Sequence, residues 1–520
     1  MKKILMSLVI VLMAALVLTT GCQGGTKTTG GGAITVEVFD RGTDGGRSLA
    51  YDNAWTDWIK AKVKADLNLD VTFVPVGRWS ENTDIVNLMA SQSAPDVCYT
   101  YAGDMVANFR DQGGILNLAP YIESHLPDLK KLLGPDPAIS GKDFIYRQQD
   151  QNTGAIYSIQ SARVALAQRN IFIRQDWLTA LRLPMPTTFQ EFYNTLVAFR
   201  DRANELPGNV GSRVVPYGQN NDARWGLRDL IRHFIQPMSD RDRWVYSIHE
   251  RDLMMPGFKD GVREMNKWYN ERLIYQDFPL MTVADDFNNL MKSGVVGAMS
   301  QNWDTIYRQD LLINQELARN VPGAEFVPID LGLNNREMMD KAGLHMFIPS
   351  FTKNIEGALA YLNWLAKPEN YSFIQIGEEG MNHVMENGAP RTFAMPANHK
   401  WIMNSGNNID YTMPLNGVNM GTDALNARVL ALSYGSTPAD TIVKAYEISV
   451  KNARAGAVYQ VTTTVNQYSQ TLQDKGDAML AQAIRATPAQ FDSVFDTGYQ
   501  DWLQSGATEV YNERNRLWPR

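Results

Sequence analysis

Aromatic and polar side chains stand next to each other just after two predicted strands, at residues 97–101 and 295–299. These side chains are Tyr101, Asp104, Asn302, Trp303 and Asp304. A flat aromatic ring covers the apolar C–H face of a sugar ring, and carboxylate or amide groups form paired hydrogen bonds with adjacent hydroxyls. Loops at the carboxyl ends of strands line the crevices of α/β sheets. These side chains are therefore candidates for the wall of a ligand-binding cleft.

Further candidate ligand-binding residues follow other predicted strands or lie in polar loops. They are Asp44, Arg47, Arg174, Trp225 and His345. Several have a structural alternative. Arg174 has a potential partner in Asp176, a lone histidine is more often structural, and Tyr101 and Trp303 could each be core aromatics.

The motifs of the common enzyme classes are missing from the sequence. It has no HExxH, GxSxG, Walker A or GxGxxG pattern, and its six histidines are dispersed. No cofactor or metal is therefore expected. Glycosidase carboxylates need no fixed spacing, so a secreted polysaccharide-degrading enzyme stays an alternative.

Alternating strand and helix patterns open the chain. Residues 34–39 alternate between apolar and polar and are β-branched, residues 55–66 have a helical pattern, and residues 71–75 form a second strand. A helix ending near residue 91 and a short strand at 97–101 follow. This order predicts an α/β architecture with mainly parallel sheets.

Composition indicates a large folded protein without a nucleic-acid partner. A chain of 520 residues exceeds what one hydrophobic core supports, so two or more domains are expected. The net charge is -7 and no basic block offsets it. There are two cysteines, Cys22 and Cys98.

The N-terminal residues have the pattern of a secretory signal. Lys2 and Lys3 precede an apolar run at 4–18, which is too short for a comfortable membrane span. The run leads to Gly21 and Cys22, which resemble a lipobox, although Thr19 stands where leucine is preferred. The prediction is a lipoprotein signal peptide over residues 1–22 and a flexible tether over 23–32. Acylated Cys22 would hold the protein on the outer face of the membrane, and an ordinary signal peptide is the alternative.

Several segments, in the same order along the chain, resemble family 1 extracellular solute-binding proteins. Residues 87–97 (NLMASQSAPDV) are similar to a family segment that usually has Gly-Asp where this chain has Gln92 and Ser93. Residues 172–192 (FIRQDWLTALRLPMPTTFQEF) carry the most specific similarity. The remaining similar segments are 111–118, 121–127, 287–303, 354–364 and 489–499.

The resemblance implies a two-lobed, periplasmic-binding-protein-like fold of the class II type, with a ligand cleft between two α/β lobes. Lobe 1 is predicted over 33–166 and 328–392, and lobe 2 over 167–327 and 393–520. The crossings are expected near 165–168, 323–330 and 389–396.

The family also suggests roles. Relatives contact their sugar through an aromatic residue and an acid at the places of Tyr101 and Asp104, and stack it on a tryptophan at the place of Trp303. A relative binds calcium in a loop matching residues 201–211, but here Ala203 stands where an oxygen ligand is required, so calcium is not expected.

The implied protein is a monomeric, non-enzymatic, lipid-anchored receptor. It captures an oligosaccharide outside the cytoplasm and delivers it to the permease of an ABC transporter. Besides the enzyme, a sugar-sensing lectin that signals to a membrane kinase stays an alternative.

Overall fold

The computed structural model describes residues 31–41, 49–78, 80–136, 141–150, 152–248, 252–308, 311–393, 410–434, 437–455 and 462–517. The predicted signal peptide, most of the tether and the lipidation site Cys22 lie outside these residues. Among the helices of the described ranges, none is both long enough and apolar enough to cross a membrane.

The strands of these ranges are short. They are β1 (Gly32–Asp40), β2 (Leu69–Gly77), β3 (Cys98–Thr100), β4 (Pro135–Asp136), β5 (Lys142–Asp143), β6 (Ile159–Arg163), β7 (Arg169–Arg174), β8 (Val215–Gly218), β9 (Val296–Asn302), β10 (Phe326–Ile329), β11 (Glu337–Met338), β12 (Ala342–Phe347), β13 (His383–Glu386), β14 (Ala389–Thr392), β15 (Leu415–Asn416) and β16 (Arg454–Ala455).

Helices follow most of the strands. They are α1 (Ala54–Leu67), α2 (Glu81–Ala90), α3 (Gly103–Asp111), α4 (Ile122–His125), α5 (Pro127–Leu133), α6 (Gln175–Leu181), α7 (Phe189–Asp201), α8 (Ala223–Gly226), α9 (Arg228–Arg232), α10 (Asp240–Tyr246), α11 (Phe258–Asn270), α12 (Ala284–Lys292), α13 (Ile313–Asn320), α14 (Ile355–Leu365), α15 (Pro368–Ile376), α16 (Asp423–Leu432), α17 (Ala439–Val450), α18 (Thr463–Arg485), α19 (Phe491–Trp502) and α20 (Thr508–Leu517).

Lobe 1 is built on a mixed sheet. Its strands lie in the order β15-β6-β12-β3, and a bridge between Val36 and Val97 joins β3 to the parallel pair β1 and β2. β12 runs antiparallel to both β3 and β6 because the chain returns from the other lobe before entering this strand. The sheet is therefore mainly parallel, as expected, with the single reversed strand β12, which the sequence did not predict.

Lobe 2 repeats this arrangement with strands in the order β10-β7-β9-β8. β8 and β9 are parallel, whereas β7, the first strand after the crossing from lobe 1, is antiparallel to both of its neighbours. In each lobe, the strand that arrives from the other lobe is the one that reverses direction.

Each lobe has its own hydrophobic core. Trp55 and Trp364 are fully buried in the first core, and Trp177 and Trp268 in the second. Separate clusters of buried side chains on either side of a cleft define two folding units. The predicted two-lobed α/β fold is confirmed.

The described chain passes between the lobes at residues 164–168, 339–341 and 417–422. These segments hydrogen-bond to one another at their lobe 1 ends. The Arg163 amide donates to the Lys341 carbonyl at 2.6 Å, the Met339 amide to the Leu166 carbonyl at 2.7 Å, and the Val164 amide to the Asn416 carbonyl at 3.1 Å. The crossings therefore form one continuous strip of backbone.

At two of the predicted lobe boundaries, the structure shows the chain changing lobe at a different residue. Ile329 and Leu331 belong to the second core, because β10 pairs with β7 as the edge strand of lobe 2. The return to lobe 1 thus lies at 339–341 and not at 328. Tyr411 and Met413 belong to the first core, and β15 pairs with β6, so the last crossing follows Asn416.

Candidate functional site

A cavity of about 490 Å³ lies between the lobes, next to the crossing segments. From lobe 1 and its crossings it is lined by Tyr101, Ala102, Gly103, Asp104, Gln160, Arg163, Gln168, Glu337, Met338, Met339, Asp340, Ala342, Gly343 and His345. From lobe 2 it is lined by Arg228, Arg243, Trp244, Ser247, Met255, Val465, Ser469 and Arg514. Both lobes therefore supply polar and apolar groups to one open cavity of ligand size.

Tyr101 lies on the cavity wall, as the sequence predicted. The backbone amide of Tyr101 donates a hydrogen bond of 3.2 Å to the Glu81 carboxylate, which fixes the end of β3 against α2. The ring stacks on Phe39 at 6.1 Å and carries the Arg78 guanidinium 4.6 Å from its centroid. The Asn416 amide donates to the hydroxyl at 2.9 Å. Burial raises the pKa of Tyr101, so the phenol stays neutral and offers a fixed aromatic surface.

Asp104 lines the cavity from the first turn of α3. Its Oδ1 accepts a hydrogen bond of 3.0 Å from the Met105 amide, and a carboxylate at a helix N-terminus is favoured by the helix dipole. α3 packs against α18 of lobe 2. Asp104 therefore stands where the two lobes meet.

His345 also lies at the cavity, within β12. Its Nδ1 is 3.0 Å from the Ser158 hydroxyl, and its Nε2 is 3.2 Å from the Gln160 amide nitrogen. Burial, with a contribution from Arg147, lowers the pKa of His345 to about 4. The imidazole is therefore neutral at physiological pH, and hydrogen bonds from its own lobe hold it in place.

Trp303 does not line the cavity. Its side chain is 6% exposed and packs edge-on against Tyr446 at 5.3 Å and Tyr434 at 6.1 Å. It belongs to the second core, so the structure favours the buried alternative over the predicted stacking platform. Its neighbours are also away from the cavity: Asn302 is exposed, and Asp304 accepts a hydrogen bond of 2.6 Å from the Tyr434 hydroxyl.

Arg174 lies at the wrong end of its strand to reach the cavity. It is fully buried, and its Nε and Nη2 both donate to Asp176 at 2.7 Å. Because β7 leads away from the crossing, the cleft side of this strand is its beginning, at Arg169. The sequence expectation took the carboxyl end as the cleft side, which does not hold for a strand that runs antiparallel to its neighbours.

Trp225 stands beside the cavity without lining it. The guanidinium carbon of Arg169 is 4.5 Å from its ring centroid, and that of Arg228, a lining residue, is 5.7 Å away. The ring is thus covered by protein cations. Asp44 and Arg47 lie outside the described residues.

The sequence expectations missed a carboxylate held by three arginines. Glu337 contacts Arg228 at 2.5 Å, Arg232 at 2.6 Å and Arg243 at 3.8 Å. Burial opposes its ionisation, but the three guanidinium groups outweigh burial and lower the pKa of Glu337 to about 2. Glu337 comes from the short crossing strand β11, and its partners are on α9 and α10 of lobe 2. This network therefore fixes the crossing to lobe 2.

The acids of the cavity wall are mostly engaged by protein. Glu337 is held as described, and Asp340 pairs with Arg147 at 2.9 Å and accepts from the Ala342 amide at 2.8 Å. Burial nevertheless raises the pKa of Asp340. Within the described ranges, no group of three or more histidine, cysteine or acidic residues could hold a metal ion.

No protein-family model matches the chain. Two proteins of Bacillus subtilis (strain 168) are similar to it in sequence. Lipoprotein LipO is 23% identical over 475 residues, covering 86% of each chain. The polygalacturonan/rhamnogalacturonan-binding protein YtcQ is 22% identical over 340 residues, covering 62% of each chain.

Solved structures match over nearly the whole chain. The alginate-binding protein AlgQ2, solved without calcium ion, has a TM-score of 0.63 at 16% identity, covering 94% of this chain and 98% of its own. An HMO-binding, ABC-transporter-associated solute-binding protein from Bifidobacterium longum infantis has a TM-score of 0.61 at 15% identity, covering 94% and 99%. The resemblance indicated by the sequence motifs is confirmed: this chain has the two-lobed fold of extracellular solute-binding proteins.

Proposed function

We propose that this chain is a lipid-anchored receptor on the outer face of the membrane, which captures an oligosaccharide and delivers it to an ABC transporter permease. The observation that carries the proposal is the interlobe cavity, whose walls come from both lobes and from the crossings between them. A relative is named for binding polygalacturonan and rhamnogalacturonan, and a structural neighbour for association with an ABC transporter. Both names support this function.

The mechanism follows from the division of the cavity-lining residues between the two lobes. A ligand that contacts Tyr101 and Asp104 on lobe 1 together with Trp244 on lobe 2 gains all of these contacts only when the lobes are together. Such a ligand shifts the population toward the closed state by its differential affinity. The closed pair of lobes then presents the permease with a surface that the open form lacks. The receptor acts as a monomer.

Binding without catalysis is part of the proposal. The soluble protein, made without Cys22, should bind a tetrasaccharide from a panel of neutral and acidic sugars in calorimetry and contract in small-angle scattering. Chromatography should return the sugar unchanged after long incubation. Shorter products that disappear when Asp104 and Asp340 are replaced would favour the polysaccharide-degrading enzyme instead. A sugar that binds without any contraction would contradict the closing mechanism.

The anchor and the transporter need their own tests. Cys22→Ala in the full-length protein should release it from washed membranes, and continued retention would contradict the lipid anchor. In cells lacking the protein, uptake of the best-binding sugar should fall and should return with the wild-type chain. Unchanged uptake, together with altered signalling through a membrane kinase, would favour the sensory lectin.

A further inference from the structure

Three guanidinium groups on the cavity wall have no carboxylate at hydrogen-bonding distance. They belong to Arg163, Arg243 and Arg514. Burying a cation without a counter-ion is costly. Arg163 and Arg514 form no ion pair with the described residues, so their place on a binding surface indicates that the ligand supplies the missing charge, whereas Arg243 is already balanced in part by Asp240 and Glu337.

Arg163 is the most isolated of these cations. It is the last residue of β6, where the backbone strip of the crossings begins, and it is half-buried. Its Nε is buried and has no hydrogen-bond partner among the described residues. Its side chain forms no ion pair with them either, although Asp340 acts on it from beyond contact distance. Arg163 therefore lines the cavity with an Nε donor that no described residue uses.

Arg243 and Arg514 supply the corresponding groups on lobe 2. Arg243 is 3.7 Å from Asp240 and 3.8 Å from Glu337, too far for a hydrogen bond to either. Arg514 is about nine-tenths buried and donates to the carbonyls of Trp244 and Ser247 at 2.7 and 2.6 Å, while its Nε has no partner within the described chain. Arg514 is thus held in place with a donor left over, and Arg243 adds a second cation on lobe 2 that Asp240 and Glu337 balance only from a longer distance.

Glu337 balances part of the positive charge on the lobe 2 wall of the cavity. It binds Arg228 and Arg232 closely and attracts Arg243 from a longer distance. Its contacts are thus with lobe 2 arginines. Among the described residues, Arg163 of lobe 1 has no ion-pair partner.

We propose that the ligand carries carboxylate groups, as a uronate-containing oligosaccharide does, and that Arg163 is the residue that selects for them. The inference rests on the proposed function and adds the chemical class of the sugar. A guanidinium offers two parallel N–H donors that match the two oxygens of a carboxylate, whereas a hydroxyl accepts only one of them. Carboxylates bound between Arg163 and the lobe 2 arginines would also favour closure, because they are satisfied on both sides only when the lobes meet.

The test compares sugars that differ only in charge. Tetragalacturonate and tetramannuronate are each titrated into the soluble full-length mature chain, alongside their carboxyl-reduced, neutral counterparts. At least one uronate should bind about tenfold or more tightly than its neutral counterpart, because charge-assisted bidentate hydrogen bonds are about twice as strong as neutral ones. The preference should shrink as the salt concentration rises.

Variants identify the selecting residue. Arg163→Gln should lose most of the preference for the uronate while keeping its affinity for the neutral sugar, and Arg243→Gln should lose part of it. Arg319→Gln is the matched control, since Arg319 is 72% exposed on α13 and pairs with Glu316; it should keep the full preference. Melting temperatures confirm that each variant is folded.

The outcomes separate this inference from the proposed function. Equal or tighter binding of the neutral sugars would overturn the selection of carboxylates and leave sugar capture standing. An undiminished preference in folded Arg163→Gln would overturn the role of Arg163. Failure of all four sugars to bind the folded wild-type protein would contradict the carboxylate inference, and the neutral panel described above would then decide sugar capture on its own.

Discussion

The side-chain amide of Asn416 donates a hydrogen bond of 2.9 Å to the hydroxyl of Tyr101, although the two residues are 315 positions apart in the chain. Asn416 ends β15 at the last crossing, and Tyr101 follows β3 on the other side of the lobe 1 sheet. The aromatic surface in the cavity is thus oriented by the segment that links the lobes.

This bond predicts coupling between the two side chains. Tyr101→Phe and Asn416→Ala should each weaken sugar binding modestly, and the double variant should be no worse than the more severe single variant. The coupling energy should be about 1 kcal/mol, the usual net value of a hydrogen bond. Tyr101→Ala should lose about tenfold in affinity because the ring itself is removed. Calorimetry measures all four. Fully additive effects would contradict the coupling, and Tyr146→Phe, on the lobe 1 surface, is the control.

Trp303→Ala should destabilise the protein without a specific effect on binding. Removing a large buried aromatic costs about 3–5 kcal/mol, and Trp303 packs against two tyrosines of the second core. The free energy of unfolding from urea titration measures this loss. The neighbouring exposed Asn302→Ala should change it by less than about 0.5 kcal/mol. A normal unfolding curve for Trp303→Ala with a large loss of affinity would restore the stacking platform predicted from the sequence.

Glu337 should make stability depend on acid pH. Its pKa falls from 4.5 to about 2 on folding, so its contribution is fully present above the unfolded pKa and is lost as the pH falls through the folded one. Glu337→Gln should lack this part of the pH dependence. It should also be less stable at neutral pH by about 3–5 kcal/mol, because buried guanidinium groups lose their counter-ion.

The control for Glu337 is Glu316→Gln, which removes the half-buried partner of the exposed Arg319. That change should cost less than about 1 kcal/mol at any pH. Equal stability of Glu337→Gln and the wild type at neutral pH would show that the arginines do not depend on this carboxylate.

His345 should make the folded protein less stable at mildly acidic pH. Its folded pKa is about 4, below its ordinary 6.5, so between these values the unfolded chain binds a proton that the folded one does not. Stability should therefore decline as the pH falls from 6.5 toward 4, by about 3 kcal/mol in all. His345→Gln should remove this decline, and His125→Gln, at a half-buried position outside the cavity, should keep it. An unchanged slope in His345→Gln would mean that the imidazole is protonated in the fold.

The architecture could be predicted from the sequence because the individual strands and helices of each lobe follow from local patterns of apolar and polar residues. The alternation at 34–39 is the pattern of β1, and the helical run at 55–66 is α1, whose start is fixed by the Asn53 cap accepting from the Trp55 and Thr56 amides. The same motifs that resembled solute-binding proteins predicted two lobes. The direction of β7 and β12 was missed because no local pattern records that a strand arrives from another lobe.

The candidate site was predicted only in part because its groups meet through tertiary structure. Tyr101 and Asp104 follow the carboxyl end of β3, where the rule for α/β crevices applies, whereas His345 lies within the reversed strand β12. Glu337, however, binds Arg228 from 109 positions away, and no spacing in the sequence marks the two as partners.

Arg163 gave no local signal at all. It ends a strand, and in the sequence it cannot be told from a surface arginine. Only the tertiary structure shows that it lines the cavity beside the crossing segments.

The backbone strip at the crossings has a mechanical consequence. The described chain passes between the lobes through adjacent segments hydrogen-bonded to one another at 2.6–3.1 Å. Such a strip bends easily about an axis lying across it, but shears or twists only by breaking those bonds. The two lobes should therefore rotate about one hinge axis, whichever ligand is bound. A short and a long sugar would then end at different angles along the same path, and pairs of spin labels on the lobes would report distances that vary together.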